Sequence, residues 1–465
     1  MTIRDLPQPV LETVAGFLDR VDELQIPSSV LHQGRRMLLD TIGCAVGGTR
    51  STPARPFLEM LGGWGGSGPS AVLGTTLTAT PTDAAFVNAY LADVLDYEET
   101  SVSHPGAVVA AAVLAAGQAA NSSGAQVLRA AVAAYEIGAR VGLALEPSAE
   151  LGRESASLFW WKSVASAVGA GLLLGMPRDR WVHAIGYAAA TSPAARRGGF
   201  EFRPLNPLKA NFPGQAHAGV AAAYLARHGF EVHRGMLDGP RQFGQLLGSD
   251  RWNTERITTA LGTEWVLDRA GFKAYPVCLY LHPLLDAVAD TRRQRQFTAD
   301  QIAAVEIDVP ALIIDEFDDR TPHGVVDAQY SAPFAAATLL LDPEPSAGWI
   351  TDDRLTDRAV SALMARIQLV ESPVLTRQFA ADGRVRSGVR IRLDDGTTIE
   401  AFADTIRGDA EHPLDDAHLE AKFLDATEGT LAVADARRVI DLVAGIEQVA
   451  DINDLVRHAT LPTPR

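Results

Sequence analysis

The sequence predicts a mainly α-helical protein: a large all-helical domain formed by both chain ends, residues 1–269 and 406–465, plus a smaller α/β domain over 270–405. Three observations predict it. Alanine- and leucine-rich runs at helical spacing fill most of residues 10–190 without β alternation. Around Gly271 the texture changes to short alternating segments bounded by turn residues. From Leu414 to His458 the helical spacing returns, so the tail is expected to pack back on the first domain and close it. With 465 residues, 47% of them hydrophobic, the chain has ample material for a large core.

Apolar spacing places helices over 10–21 and 29–43, the second ending near Gly47-Gly48. Asp40, among small residues in the second, reads as a satisfied carboxylate in a tightly packed helix. The loop from Gly62 to Pro69 lacks the lysine and hydroxyl of a phosphate cradle. Pro81-Thr-Asp suits the first turn of a helix that runs to Asp93, and His104-Pro105 starts the next. Further helices are expected over 124–145, 155–174 and 178–190. Four cations, three prolines and three glycines between Arg196 and Gln215 exclude a regular helix before about Lys209 or His217. That loop is either an anion site or a solvated segment whose arginines pair with surface carboxylates. Strands follow at 302–310, 365–370, 387–393 and 398–402, the last two joined through Asp394-Asp-Gly-Thr as a hairpin.

A net charge of −16 disfavours nucleic acid and membrane surfaces as partners, and a small anionic substrate would require a locally basic pocket. Cys44 and Cys278 stand far apart in sequence, which suggests a reducing compartment and offers no thiolate metal cluster. The first residues carry no basic segment followed by an apolar core, and no apolar run reaches spanning length. A cytoplasmic location is expected.

One stretch reads as chemistry. Leu95 to Ala107 sets three carboxylates, two hydroxyl-bearing serines, Thr100 and His104 between two apolar helices, where unpaired polar groups cost several kcal/mol each. A histidine titrates near neutrality unaided, so His104 is the first choice of acid or base. The competing reading is a helix-start histidine capping local backbone.

Four stretches together resemble the MmgE/PrpD family: Leu39-Asp-Thr-Ile-Gly-Cys-Ala-Val-Gly-Gly48; Asp96-Tyr-Glu-Glu-Thr100 with His104-Pro-Gly; Ala134-Tyr-Glu-Ile-Gly-Ala-Arg-Val141; and Lys273-Ala-Tyr-Pro-Val-Cys278 followed by His282-Pro. The resemblance implies the two-domain fold, a homodimer, and an active site between domains that needs no cofactor. It carries the family's catalytic carboxylate, hydroxyl, histidine and lysine onto Asp96, Thr100, His104 and Lys273. Three positions depart from the family pattern: Trp160 stands for a histidine, Arg203 for a lysine and Phe334 for a tyrosine.

By that resemblance the reaction is cofactor-independent lyase or isomerase chemistry at a carbon beside a carboxylate of a di- or tricarboxylic acid, most simply 2-methylcitrate dehydration. Epimerisation or decarboxylation of a related acid is the alternative, and a catalytically silent dimer that binds a ligand or partner is a second. The charge that builds up must meet preorganised cations, each worth about 2.7–4 kcal/mol. Lys273, Arg203, Lys209 and Lys162 are the candidates, with Arg203 assigned to binding because a guanidinium does not deprotonate. Tyr275 and His282, near the domain junction, and Trp160, able to shape the pocket, complete the candidate set. Lys273 reads alternatively as an interdomain ion pair. Glu98 and Glu99 are expected to face solvent or pair with nearby cations.

Overall fold

The computed structural model describes residues 9–63, 67–148, 160–192, 203–232, 235–238, 243–247 and 249–462. The expected helix start at 155–159, residues 196–202 of the 196–215 loop and residues 64–66 of the glycine-rich loop lie outside these residues. Helices of seven or more residues are α1 (Pro9–Leu18), α2 (Ser28–Gly48), α3 (Ala54–Gly63), α4 (Pro81–Asp93), α5 (Pro105–Ala120), α6 (Gly124–Leu143), α7 (Lys162–Leu173), α8 (Trp181–Ala190) and α9 (Phe212–Arg227). After them come α10 (His282–Gln294), α11 (Ala311–Phe317), α12 (Ala332–Leu341), α13 (Arg358–Met364), α14 (Pro373–Asp382), α15 (Asp416–Thr427), α16 (Val433–Ala444) and α17 (Ile452–His458).

Helices α4, α5, α6, α7 and α9 pack on one another as a central group. Their small residues allow it: a Cβ on Gly138 of α6 would come within 2.5 Å of Ala165 Cβ on α7. In α5 every residue from Pro105 to Gln118 is buried, so it is a core helix with no solvent face. The capping signals read from sequence are realised at α4, where Thr80 accepts from the Asp83 amide and Pro81 fills the first turn.

The expected strands form one four-stranded sheet of β5 (Ile302–Val309), β6 (Ile367–Glu371), β7 (Ser387–Leu393) and β8 (Thr398–Ala403) in the order β6-β5-β7-β8. Only β5 and β6 run parallel. The hairpin pairs Arg392 with Thr398. Val389, Ile391 and Leu393 of β7 are buried between exposed Arg390 and Arg392, and α10 covers the sheet. Sequence reasoning passed over α12, α13 and α14 in this region. Ala332–Leu341 is apolar all round, a pattern that does not separate a buried helix from a buried strand.

Short ladders that the sequence reading did not assign also form: β1 (Ser70–Ala71) with β2 (Thr78–Ala79), and β3 (Glu99–Thr100) with β4 (Gly271–Phe272). The second ladder stitches the polar stretch to the change of texture at 271. In the tail, α15 packs along α2, and Lys422 Nζ lies 2.7 Å from Asp40 Oδ1. A turn at Gly408 completes the junction, its carbonyl accepting from the Phe272 amide at 2.7 Å. Its φ is +97° and a Cβ there would come within 2.0 Å of the Phe272 carbonyl oxygen, so glycine is required.

Candidate active site

Eight non-glycine residues have positive φ among those described, and five of them, Asp96, Ser103, His104, Lys209 and Asn211, lie in two segments that meet. Backbone held in this sparsely populated region costs about 1–3 kcal/mol per residue and gathers where geometry matters for function. The first segment links α4 to α5, with His104 as the left-handed residue before Pro105. The second enters α9, where the Asn211 side chain accepts from the Gly214 amide.

Asp96 is the centre of the meeting point. Its Oδ1 is 2.9 Å from Lys209 Nζ, its Oδ2 is 3.2 Å from Lys273 Nζ, and its backbone oxygen accepts from Lys273 at 3.0 Å. Burial alone would raise this carboxyl; the two ammonium groups outweigh it and hold Asp96 well below the usual carboxylate range. The same partnership raises both lysines despite burial, through Asp93 and Asp96 on Lys209 and through Asp96 and Glu98 on Lys273. Both remain charged at neutral pH.

His104 Nδ1 lies 3.1 Å from Glu98 Oε1. Burial and then the Lys273 charge push its pKa down, against the pull of Glu98. Burial and the Lys273 charge thus favour the uncharged imidazole, with the Glu98 carboxyl on its Nδ1 side. Glu98 and Glu99 correct the expectation of solvent exposure, since both are fully buried. Glu99 accepts from the Tyr135 hydroxyl at 2.6 Å and the Gly106 amide at 3.0 Å, and burial pushes it up to about 8. It fastens β3 to the start of α5.

Asp93, Asp96, Thr100, His104, Lys209 and Lys273 all line a cleft of about 2180 Å³. Trp160 lines it too, almost buried, its indole Nε1 without a hydrogen-bond partner among the described residues. Lys162 stands behind this wall, its Nζ 3.4 Å from Ser103 Oγ and 4.5 Å from the centre of the Phe212 ring. Burial pushes its ammonium down to about 7.

Other candidates lie elsewhere. The Arg203 guanidinium is held by Asp319 at 3.0 Å and by the carbonyl oxygens of Glu316 and Tyr330. The loop's cation at Asp96 is Lys209, six positions later, while Arg203, expected to bind substrate, ties the loop to the segment before α12. Tyr275 donates to Asp286 at 2.9 Å and packs edge-on against His282, with ring centres 5.2 Å apart. His282 is buried, lowered to about 3, with Nε2 3.3 Å from the Val277 carbonyl oxygen. Neither lines the cleft. Phe334 is buried in α12.

Sequence reasoning missed Asp93 as a wall residue and Lys422 as a brace. Asp93 stands one helical turn before Asp96, a spacing that was available as a signal. Lys422 contacts the Tyr97 and Lys273 carbonyl oxygens from 325 and 149 positions away, for which no local signal exists.

Asp93 makes stability depend on pH. Burial, reinforced by Glu98 and Asp96 and opposed by Lys209, pushes it up to about 7. An unfolded aspartate titrates near about 3.9. Between these values the unfolded chain gives up a proton that the native chain keeps, so this contribution is present below about pH 4 and is lost as pH rises through about 7. At one pKa unit per about 1.36 kcal/mol, the span is on the order of 4 kcal/mol. Thermal melts across this range should show Asp93→Asn gaining on the parent protein as pH rises. An unchanged difference at every pH contradicts the assignment.

Buried carboxylates, lysines and a histidine in the wall of one cleft are groups able to move protons and to meet negative charge. Residues 12–255 match the MmgE/PrpD N-terminal domain and residues 275–448 the MmgE/PrpD C-terminal domain, and the chain belongs to that family. Cis-aconitate decarboxylase of Aspergillus terreus is 24% identical over 470 residues, covering 94% of this chain and 93% of the relative. The cis-aconitate decarboxylases of Mus musculus and Homo sapiens are also 24% identical, over 96% and 98% of this chain and 93% and 95% of their own length. The chain is accordingly a lyase-type enzyme, related to decarboxylases and dehydratases. No helix among the described residues is long and apolar enough to cross a membrane.

Proposed function

We propose that the protein is a cofactor-independent lyase that eliminates water from a hydroxylated di- or tricarboxylic acid, taking a proton from the carbon beside a carboxylate. One observation carries this reading: His104 lines the cleft with the Glu98 carboxyl 3.1 Å from its Nδ1, beside the buried ammonium groups of Lys209 and Lys273 that both hold Asp96. Elimination of water requires a base at carbon, whereas loss of carbon dioxide requires none.

His104 takes the proton. The charge left on carbon and its neighbouring carboxylate is met by Lys273 and Lys209, whose positions Asp96 fixes before substrate arrives. Thr100 offers a hydroxyl to the substrate from the same wall, and Trp160 narrows the space beside it. Residues 270–405 form the lid over a helical body made from both chain ends, and two such chains form a cytoplasmic homodimer.

A second reading, decarboxylation, is favoured by the names of the relatives. Proton NMR separates the two: dehydration gives a vinyl product that retains every carbon, and decarboxylation gives one that has lost carbon dioxide. His104→Gln is expected to lower kcat by about 10²–10⁴ with KM little changed. Turnover equal to the parent's excludes His104 as the base.

A further inference from the structure

Three carboxylates crowd the wall of the cleft. One oxygen each from Asp93, Asp96 and Glu98 falls within 4.8 Å of the others. Two ammonium groups, on Lys209 and Lys273, stand against them, while His104 is neutral and already engaged by Glu98. Two cations balance two anions. The third carboxylate holds a proton, because like charges this close in a buried site do not all ionise.

Geometry identifies the holder. Asp96 receives a lysine on each oxygen, and Glu98 receives His104. Asp93 has only Lys209 Nζ at 3.6 Å from Oδ1, a long contact; its buried Oδ2, like both Glu98 oxygens, has no hydrogen-bond partner among the described residues, and of these two carboxyls only Asp93 lines the cleft. Asp93 is 2% exposed and lines the cleft. The other ionisable groups that act on it are Tyr90 on its own helix and Lys162 from α7.

We propose that Asp93 is the general acid of the elimination, delivering a proton to the departing hydroxyl while His104 takes one from carbon. This rests on the dehydration reading above. The C–H electron pair becomes the new C=C bond, and the C–O bond breaks with its pair on oxygen. That oxygen takes the proton from Asp93 and leaves as water. His104 ends as imidazolium and Asp93 as carboxylate, and one proton returned through solvent in the cleft resets both.

An un-ionised aspartate beside a neutral histidine is a pair whose environments have driven their titrations in opposite directions, as separate acid and base roles require. Burial, helped by Glu98 and Asp96 and opposed by Lys209, keeps Asp93 protonated up to about pH 7.

The test has two arms. In the free protein, infrared difference spectra taken below and above neutrality should contain the C=O stretch of an un-ionised carboxyl that is missing from Asp93→Asn. With malate, citrate and 2-methylcitrate as the panel, Asp93→Asn should lower kcat by about 10²–10⁴, leave KM nearly unchanged, and remove the basic limb of the pH profile. The analogue bearing chloride in place of hydroxide needs no proton to leave and should restore turnover in Asp93→Asn. No missing infrared band, a parental pH profile, or failure of the chloride analogue to rescue overturns the proposal. If the parent protein dehydrates none of the panel, the dehydration reading falls and the donor role with it, while the infrared arm still reports whether Asp93 holds a proton.

Discussion

Methionine in place of Lys273 is expected to remove most of the turnover and also to destabilise the fold. Its ammonium does two things at once: it holds Asp96 through Oδ2 and the backbone oxygen, and it faces the cleft where charge builds up on substrate. Loss of one such preorganised donor lowers kcat by about 10²–10³. Removing one partner of a buried ion pair leaves the other uncompensated and costs about 3–5 kcal/mol. Asp96 keeps Lys209 at 2.9 Å, so the lower end of that range applies. The double variant Lys273→Met with Asp96→Asn separates the effects, because it removes the orphaned charge and recovers stability without recovering activity. Equal activity losses that track stability in all three variants would make Lys273 a purely structural residue.

Lys422→Met is the second large effect, although Lys422 does not line the cleft. Its Nζ pairs with Asp40 at 2.7 Å and reaches the carbonyl oxygens of Tyr97 at 2.5 Å and Lys273 at 3.0 Å. One side chain from α15 thus joins α2, the polar stretch and β4. Without it Asp40 is a buried charge with no counter-ion, and denaturant unfolding should report a loss of about 3–5 kcal/mol. Asp40→Asn in the same background should recover most of that loss. Activity should fall as well, because the backbone on both sides of Asp96 and Lys273 loses its anchor. A midpoint within experimental error of the parent's contradicts the brace.

Much of this was legible in the sequence, for reasons that particular residues make clear. Helix α5 was readable because Pro105 starts it and its buried residues are all small or apolar. The stretch from Asp96 to His104 stood out because charge between two core helices demands partners. Strand β7 was readable from alternation, since Val389, Ile391 and Leu393 face the core. What stayed hidden depends on contacts between distant segments. Arg203 and Lys209 share one loop, and only the fold turns the first to Asp319 and the second to Asp96. Glu98 and Glu99 look like surface residues until Tyr135 and His104 are brought to them. Lys422 carries no local mark of its role.

In the proposed reaction, carbon beside a carboxylate loses a proton at the wall formed by His104, Asp96, Lys273 and Lys209. Proton NMR in deuterated water tests it most directly, with hydroxylated and unsaturated di- and tricarboxylates as the panel and both parent and Lys273→Met proteins present at equal folded concentration. The expected result is an unsaturated acid that retains every carbon, loss of the hydrogen beside the carboxylate, and water eliminated by the parent protein alone. Unchanged spectra for every acid, or the same product at the same rate from Lys273→Met, would contradict it.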